Sequence, residues 1–241
     1  VFFCTTSLVF TQNLLIIMKL SKQTIATLNN FSEINQSILI HKGKKLRTIS
    51  VMKNILAEAE VKEEFEKDFA IYDLPQFLKV LRIYNDPELD FSEDNYVTIR
   101  EGKNRSRYFF ADPNVIVSPP EKPLVLPSKD VSFGITPSHL SQLLQAANTL
   151  DLPDLSVIGG AGVIRLAVRD KKNDTSNDHS IIVGETDKEF TFNFKVENIK
   201  ILPGNYDVVI SSKCLSQFTN VLESHPLTYF IALEPDSVYN E

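Results

Sequence analysis

The sequence is short of several things, and each shortage removes a class of function. Its two cysteines, Cys4 and Cys214, lie far apart with no CxxC partner. That excludes a disulfide framework and a thiolate zinc site, and it fits a reducing compartment. The four histidines, His41, His139, His179 and His225, form no HxH or HExxH pattern, and no GxSxG elbow occurs. Ligand or nucleophile spacings are therefore missing, and no metal and no cofactor is expected. Only eight glycines are present, and their one cluster, GGAG at 159–162, runs into the strand-like VIRLAV. A phosphate cradle needs a following helix N-terminus, so GGAG is expected to be a tight hairpin. Long apolar runs are missing too. The opening VFFCTTSLVFTQNLLII is broken by Thr5, Thr6, Ser7, Thr11, Gln12 and Asn13, and no Lys or Arg precedes Lys19. It suits neither an export signal nor a membrane span of about 20 apolar residues.

What remains is ordinary for a globular chain of 241 residues: 43% hydrophobic and 23% charged, with a net charge of -6. That balance excludes a uniformly basic surface, although it leaves open where the Lys and Arg gather. One catalytic pattern has a partial match. Glu58, Glu60 and Lys62 resemble the tail of a metal-nuclease (D/E)xK motif, but the carboxylate it needs on the preceding strand is missing. Asp154, which follows a proline, lies far downstream, and EAEVKEEFEKD reads more simply as a solvated acidic hairpin.

Periodicity then gives the organisation. LSKQTIATLNNFSEI has Ser21 as a cap and apolar Ile25, Leu28 and Phe31 at helical spacing, with Lys22, Ala26, Asn29 and Glu33 opposite. Strand-like SILIH, LRTIS, ILAEAEV and DFAIY follow, then a second helix in DLPQFLKVLRIYN, capped by Asp73 and with Lys79 and Arg82 on its polar side. PELDF, NYVTI and SRYFF close this half. Four prolines in VSPPEKPLVLPSKD, residues 117–130, favour an extended connector. The order then repeats: VSFGI, the helix TPSHLSQLLQAANTL, strands around LSVIG, VIRLAVR, HSIIVG and EFTFNF, a short helical turn in VENIKILPG, and strands NYDVVIS and LTYFIAL. Duplication of a domain-sized unit is the strongest organisational signal. The third helix exposes Ser138, Ser141, Gln142, Gln145 and Asn148, with no acidic residue between Thr136 and Leu150. Together with the basic positions of the first two helices, this is a surface past which phosphates could move without a sequence-specific hold.

MKLSK at 18–22, FAIYDLPQFL at 69–78, ADP at 111–113, LSQLLQAANTL at 140–150, FTFNF at 190–194, LPGNY at 202–206 and ALEPDS at 232–237, in this order and spacing, resemble the sliding clamps, or DNA polymerase processivity factors, of large tailed bacteriophages. That family is related in fold to proliferating cell nuclear antigen. The resemblance implies an α+β DNA clamp fold, with two similar domains each carrying two helices packed on antiparallel sheets, and three subunits closed into a ring. It places clamp domain 1 at 18–116, the connector at 117–130 and clamp domain 2 at 131–241. Residues 1–17 are expected to be a non-native leader upstream of a start at Met18. The implied DNA-facing residues are Lys19, Lys22, Lys79, Arg82, Lys195 and Lys200. The third helix contributes no Lys or Arg, so the charge is expected to concentrate in the first half. A partner-peptide pocket is implied at Leu124, Val125, Leu126, Ala232, Leu233 and Pro235, between connector and final strand. Implied partners are double-stranded DNA, a DNA polymerase, an ATP-dependent clamp loader, further copies of the chain and, as in some phage relatives, transcription factors; no membrane is involved. The implied setting is the cytoplasm of an infected bacterium, and the protein is expected not to be an enzyme. SRYFFADP would be either an internal strand or an edge paired between subunits. A β-rich oligomeric phage structural protein without DNA function stays open as the alternative.

Overall fold

The computed structural model describes residues 17–173, 175–221 and 225–240. The expected leader lies outside the described residues except for Ile17, which pairs with Asp90. The first half contains β1 (Ile17–Met18), α1 (Lys22–Ile34), β2 (Ile38–Ile40), β3 (Gly43–Ile49), β4 (Ile55–Phe65), β5 (Phe69–Ile71), α2 (Leu74–Leu81), β6 (Glu88–Asp90), β7 (Tyr96–Glu101) and β8 (Asn104–Phe109). The second contains β9 (Val131–Ile135), α3 (Pro137–Thr149), β10 (Asp154–Gly160), β11 (Val163–Arg169), β12 (His179–Glu185), β13 (Glu189–Lys195), β14 (Tyr206–Ser211), β15 (Leu215–Asn220), β16 (Leu227–Ala232) and β17 (Val238–Asn240). Every strand pairing is antiparallel.

The halves are joined by one sheet. Its order β3-β4-β16-β15-β14-β9 takes strands from both, through the pairing of Ile55 to Ala59 with Leu227 to Ile231. Each half also has its own sheet, β1-β6-β7-β8 in the first and β12-β11-β10-β13-β17 in the second. The segment from 117 to 130 between them carries no helix or strand, as its prolines require.

Local chemistry explains the elements. In α1 the Ser21 side chain accepts from Thr24 N, and Asp73 and Thr136 cap α2 and α3 in the same way, each satisfying an otherwise orphaned amide. The buried stripe of α1 is Thr24, Thr27, Leu28, Phe31 and Ile34, so the helix is rotated from the sequence expectation and Ile25 is only half-buried. Two threonines can face inward because each finds a polar partner. Thr24 Oγ1 donates to Glu63 Oε2 at 2.5 Å, and Thr27 Oγ1 lies 3.1 Å from His225 Nε2. Among the described residues the second half has one α-helix; a 3-10 turn, Val196–Asn198, stands where α2 stands in the first half. Β-branched Val196, Ile199 and Ile201 followed by Pro203 and Gly204 give little support for a longer helix. GGAG forms the β10–β11 turn, with Ala161 and Gly162 at φ of 51° and 84°, the twist that two-residue hairpins favour.

His225 ties the second half to α1. It is buried, and its Nδ1 has no partner among the described residues. Burial pushes its pKa down, Glu63 opposes this and Lys62 adds to it. A histidine held neutral by the fold contributes stability that is complete above its ordinary value near 6.5 and is lost as pH falls from there towards the folded value. Chemical denaturation between pH 7.5 and about 5 should therefore show falling stability. His225→Gln, which keeps a polar group facing Thr27 without titrating, should flatten that slope; equal slopes would place the titrating group elsewhere. The carboxylates with lowered pKa values, Glu63 and Asp130 among them, act in a separate, more acidic window.

Candidate functional site: helix layer, connector groove and free edges

In the helix layer, Lys22 and Lys79 are exposed, and neither has an ion-pair partner among the described residues. Arg82, also exposed, donates from Nη2 to Asn29 Oδ1 at 2.6 Å, which holds α2 beside α1. None of the three is neutralised by an ion pair among the described residues. Lys19 is paired with Asp86, whose hydrogen bond raises the lysine pKa. Lys195 donates to Asp154 Oδ1 at 2.6 Å, and that carboxylate is 1% exposed. The hydrogen bond to Asp154 raises the pKa of Lys195, and the pair anchors the end of β13 to the start of β10. Lys200 donates to Glu33 O at 2.8 Å, placing a cation at the carbonyl end of α1, where the helix dipole favours it. On α3, Ser138, Ser141, Gln142, Gln145 and Asn148 are all exposed and uncharged.

The connector crosses the outer face of the shared sheet. Strand alternation sends Leu46, Ala57, Tyr229 and Ile231 to the main core, and Ile49, Leu56 and Phe230 to the other side, where they form a second apolar cluster with Leu124 and Leu215 packed against it. The connector is pinned at both ends. Arg47 Nη1 donates to Pro120 O at 2.8 Å while its Nε donates to Glu58 Oε1 at 2.7 Å. At the far end Asp130 Oδ2 accepts from Ser128 Oγ at 2.6 Å and from Ser212 N at 2.7 Å. These bonds, the one from Ser128 first, hold its carboxyl below the usual range against the opposing effect of burial.

Of the residues implied for the pocket, Leu124 packs on the second cluster, Val125 is 74% exposed, Leu126 and Ala232 are half-buried and Pro235 is exposed. Leu233 belongs to the main core. Sequence reasoning missed Ile49, Leu56, Leu215 and Phe230. The signal for Phe230 was available, since it is an outward position in an otherwise alternating strand. The nuclease-like residues do not converge on a site: Arg47 and Lys45 occupy Glu58, and Asp154 sits in another sheet with Lys195.

The remaining feature is two long edge strands, one in each half's own sheet. Strand β8 ends one sheet and β12 ends another, which decides that SRYFF is an edge strand within the subunit. Phe109 on β8 is 64% exposed and Ile182 on β12 is 59% exposed.

The first half, residues 19–118, matches the family model of the DNA polymerase processivity factor, and residues 132–235 match that of the gp45 sliding clamp C-terminal region. The chain is 34% identical to the sliding clamp of Vibrio phage KVP40, over 90% of this chain and 99% of that protein. It is also 34% identical to the sliding clamp of Enterobacteria phage T4, over 92% and 100%. Among solved structures, the proliferating cell nuclear antigen of A. fulgidus, bound to a C-terminal region of FEN-1, superposes with a TM-score of 0.68 at 13% identity, covering 92% of this chain and 98% of that one. The counterpart from Entamoeba histolytica gives 0.67 at 12%, over 90% and 98%. These matches favour a replication role over a phage structural protein, and the chain belongs to the sliding clamp family of DNA polymerase processivity factors.

Proposed function

We propose that three copies close head to tail through β8 of one and β12 of the next, making a ring that encircles duplex DNA and tethers the polymerase. The observation that carries this reading is that each half's own sheet ends on one side in a strand long enough to pair, β8 with six residues and β12 with seven, against two in β1 and three in β17. An exposed apolar edge left unpaired is a hazard that a closed ring removes. The first domain spans 18–116, the connector 117–130 and the second domain 131–241, with α1, α2, α3 and the turn at Val196–Asn198 facing the hole.

Lys22, Lys79 and Arg82 carry most of the contact with phosphate. Lys200 adds a cation at the carbonyl end of α1, while Lys19 and Lys195 act through charge already shared with Asp86 and Asp154. So few contacts give weak non-specific binding, with dissociation constants of roughly 10⁻⁴ to 10⁻⁶ M. Contact alone cannot keep a polymerase on its template, whereas encirclement can, and weak contacts permit sliding. A peptide of the polymerase seated at Leu124, Val125, Leu126, Ala232, Leu233 and Pro235 then raises its local concentration to the order of millimolar. Opening the ring falls to a separate ATP-driven loader, and transcription proteins could use the same peptide site. The protein itself performs no catalysis and works in the cytoplasm of the infected bacterium.

The test is topological. After loading, the clamp should remain on nicked circular DNA through gel filtration and leave the same DNA once it is cut to give free ends. Equal retention on circle and line would show that contact, not encirclement, holds it.

A further inference from the structure

Resting on the ring reading above, we infer that the seam between copies is ionic: a basic edge around β8 meets an acidic edge around β12 of the neighbouring copy. On β8 and the turn before it, Lys103, Arg105 and Arg107 are exposed. None has an ion-pair partner among the described residues, and Arg107 lies over the Tyr96 ring. On β12 Glu185 is exposed, and Asp187 is exposed on the crossing that leaves it for β13, again with no ion pair inside the subunit among the described residues. Exposed charges without partners, one sign on each of two open edges, are the complement of each other.

The faces agree as well. Ser106 and Tyr108 turn inward, the first 2.6 Å from Tyr84 Oη and the second against the Phe77 ring, so Arg105, Arg107 and Phe109 share the outer face. On β12, Ile181 packs on the core and Ile182 points outward opposite Arg165. The register shift beyond Ile182 turns Gly184 inward, over Ile164, and returns Glu185 to the outer face. Antiparallel pairing that sets Phe109 beside Ile182 makes an apolar contact and brings Arg107 towards Glu185, with Arg105 on the side of the crossing that carries Asp187. Other charges are close by. Lys188 is turned away to Tyr239 Oη at 2.7 Å, Arg100 is held by Glu88 and Asp90, and Arg165 lies one strand inward from the acidic edge. The edge that meets the neighbour therefore stays acidic at Glu185 and Asp187 against a single inner Arg165.

The consequence is a ring whose closure is regulated by ionic strength. Exposed pairs contribute a factor of about two to three each, and raising salt from about 0.1 M to about 1 M shortens the screening length from about 10 Å to about 3 Å. Each seam should weaken about fivefold over that range, and the monomer–trimer constant, which includes three seams, about a hundredfold. Sedimentation equilibrium of the full chain at both salts reads this directly. Arg105→Glu with Arg107→Glu should be monomeric at 0.1 M where the parent is trimeric. Adding Glu185→Arg and Asp187→Arg to the same chain should restore the trimer. All four positions are exposed, and circular dichroism melts check that each variant is folded. A parent trimer insensitive to salt, or folded four-fold variants that stay monomeric, would overturn the ionic seam while leaving the ring intact. A parent that is monomeric at every salt would overturn both.

Discussion

Replacing Tyr229 by Phe is expected to lower the unfolding free energy by about 1–3 kcal/mol, because it orphans the buried Asn30 Oδ1 and takes a partner from the amide of half-buried Leu202 at the junction of the two halves. The Tyr229 hydroxyl donates to Asn30 Oδ1 at 2.7 Å and accepts from Leu202 N at 3.1 Å. Asn30 in turn donates from Nδ2 to Lys200 O at 3.1 Å, and Tyr206 Oη donates to Leu202 O at 2.7 Å. Tyr229 is completely buried and Asn30 nearly so, so water cannot take the place of the lost hydroxyl. Each unpaired buried group costs about 1–3 kcal/mol. Urea denaturation of Tyr229→Phe, Asn30→Ala and the double variant should give a double variant less destabilised than the sum of the singles, since both remove one shared bond. Strict additivity would mean that Asn30 and Tyr229 do not act together. Burial also pushes the Tyr206 hydroxyl up to about 12 and raises that of Tyr229. Their contribution is therefore complete below the ordinary tyrosine value near 10 and is lost as pH rises through the folded values. The junction fixes the angle between the halves, and a ring of repeated junctions closes only if that angle is held. Tyr229→Phe should accordingly weaken trimer formation as well as stability.

The sequence disclosed most of the order of elements, because helix caps and alternating strands are local signals. Ser21, Asp73 and Thr136 each mark a helix start that the structure keeps. What it concealed depends on distant partners. LSQFTN at 215–220 reads as polar, yet it is β15, because Ser216 turns inward and donates to Ile231 O at 2.7 Å. EAEVKEEFEKD reads as a solvated acidic hairpin, yet Ile55–Phe65 is one strand that sends Ala57, Ala59 and Val61 to the core and Glu58 to Arg47. The charge of Lys195 could be read from the sequence, but its engagement with Asp154 could not, since the two are brought together only by the pairing of β10 with β13. The same limit applies to the groove. The apolar connector was visible, whereas the cluster beneath it is drawn from β3, β4, β15 and β16 and exists only once the halves share a sheet.

That construction leads to the second large effect. Leu124→Asp should reduce binding of the polymerase peptide by roughly 30-fold or more, the loss expected when a central anchor of about 2 kcal/mol is removed. Leu124 is the connector side chain that rests on Ile49, Leu56 and Phe230, so a carboxylate there both removes an apolar wall and requires burial of charge when a peptide docks. Because Leu124→Asp could also loosen the connector, Val125→Asp is the cleaner companion. Val125 is largely exposed, so its replacement leaves the fold unchanged and alters only the surface offered to a partner. Both variants should still form trimers, still remain on circular DNA and still run off linear ends, while polymerase stimulation falls with peptide affinity. Tethering and encirclement would then separate into two surfaces, one under the connector and one along the helices. Undiminished stimulation by both variants would place the polymerase site away from the connector and leave the Phe230 cluster as packing alone.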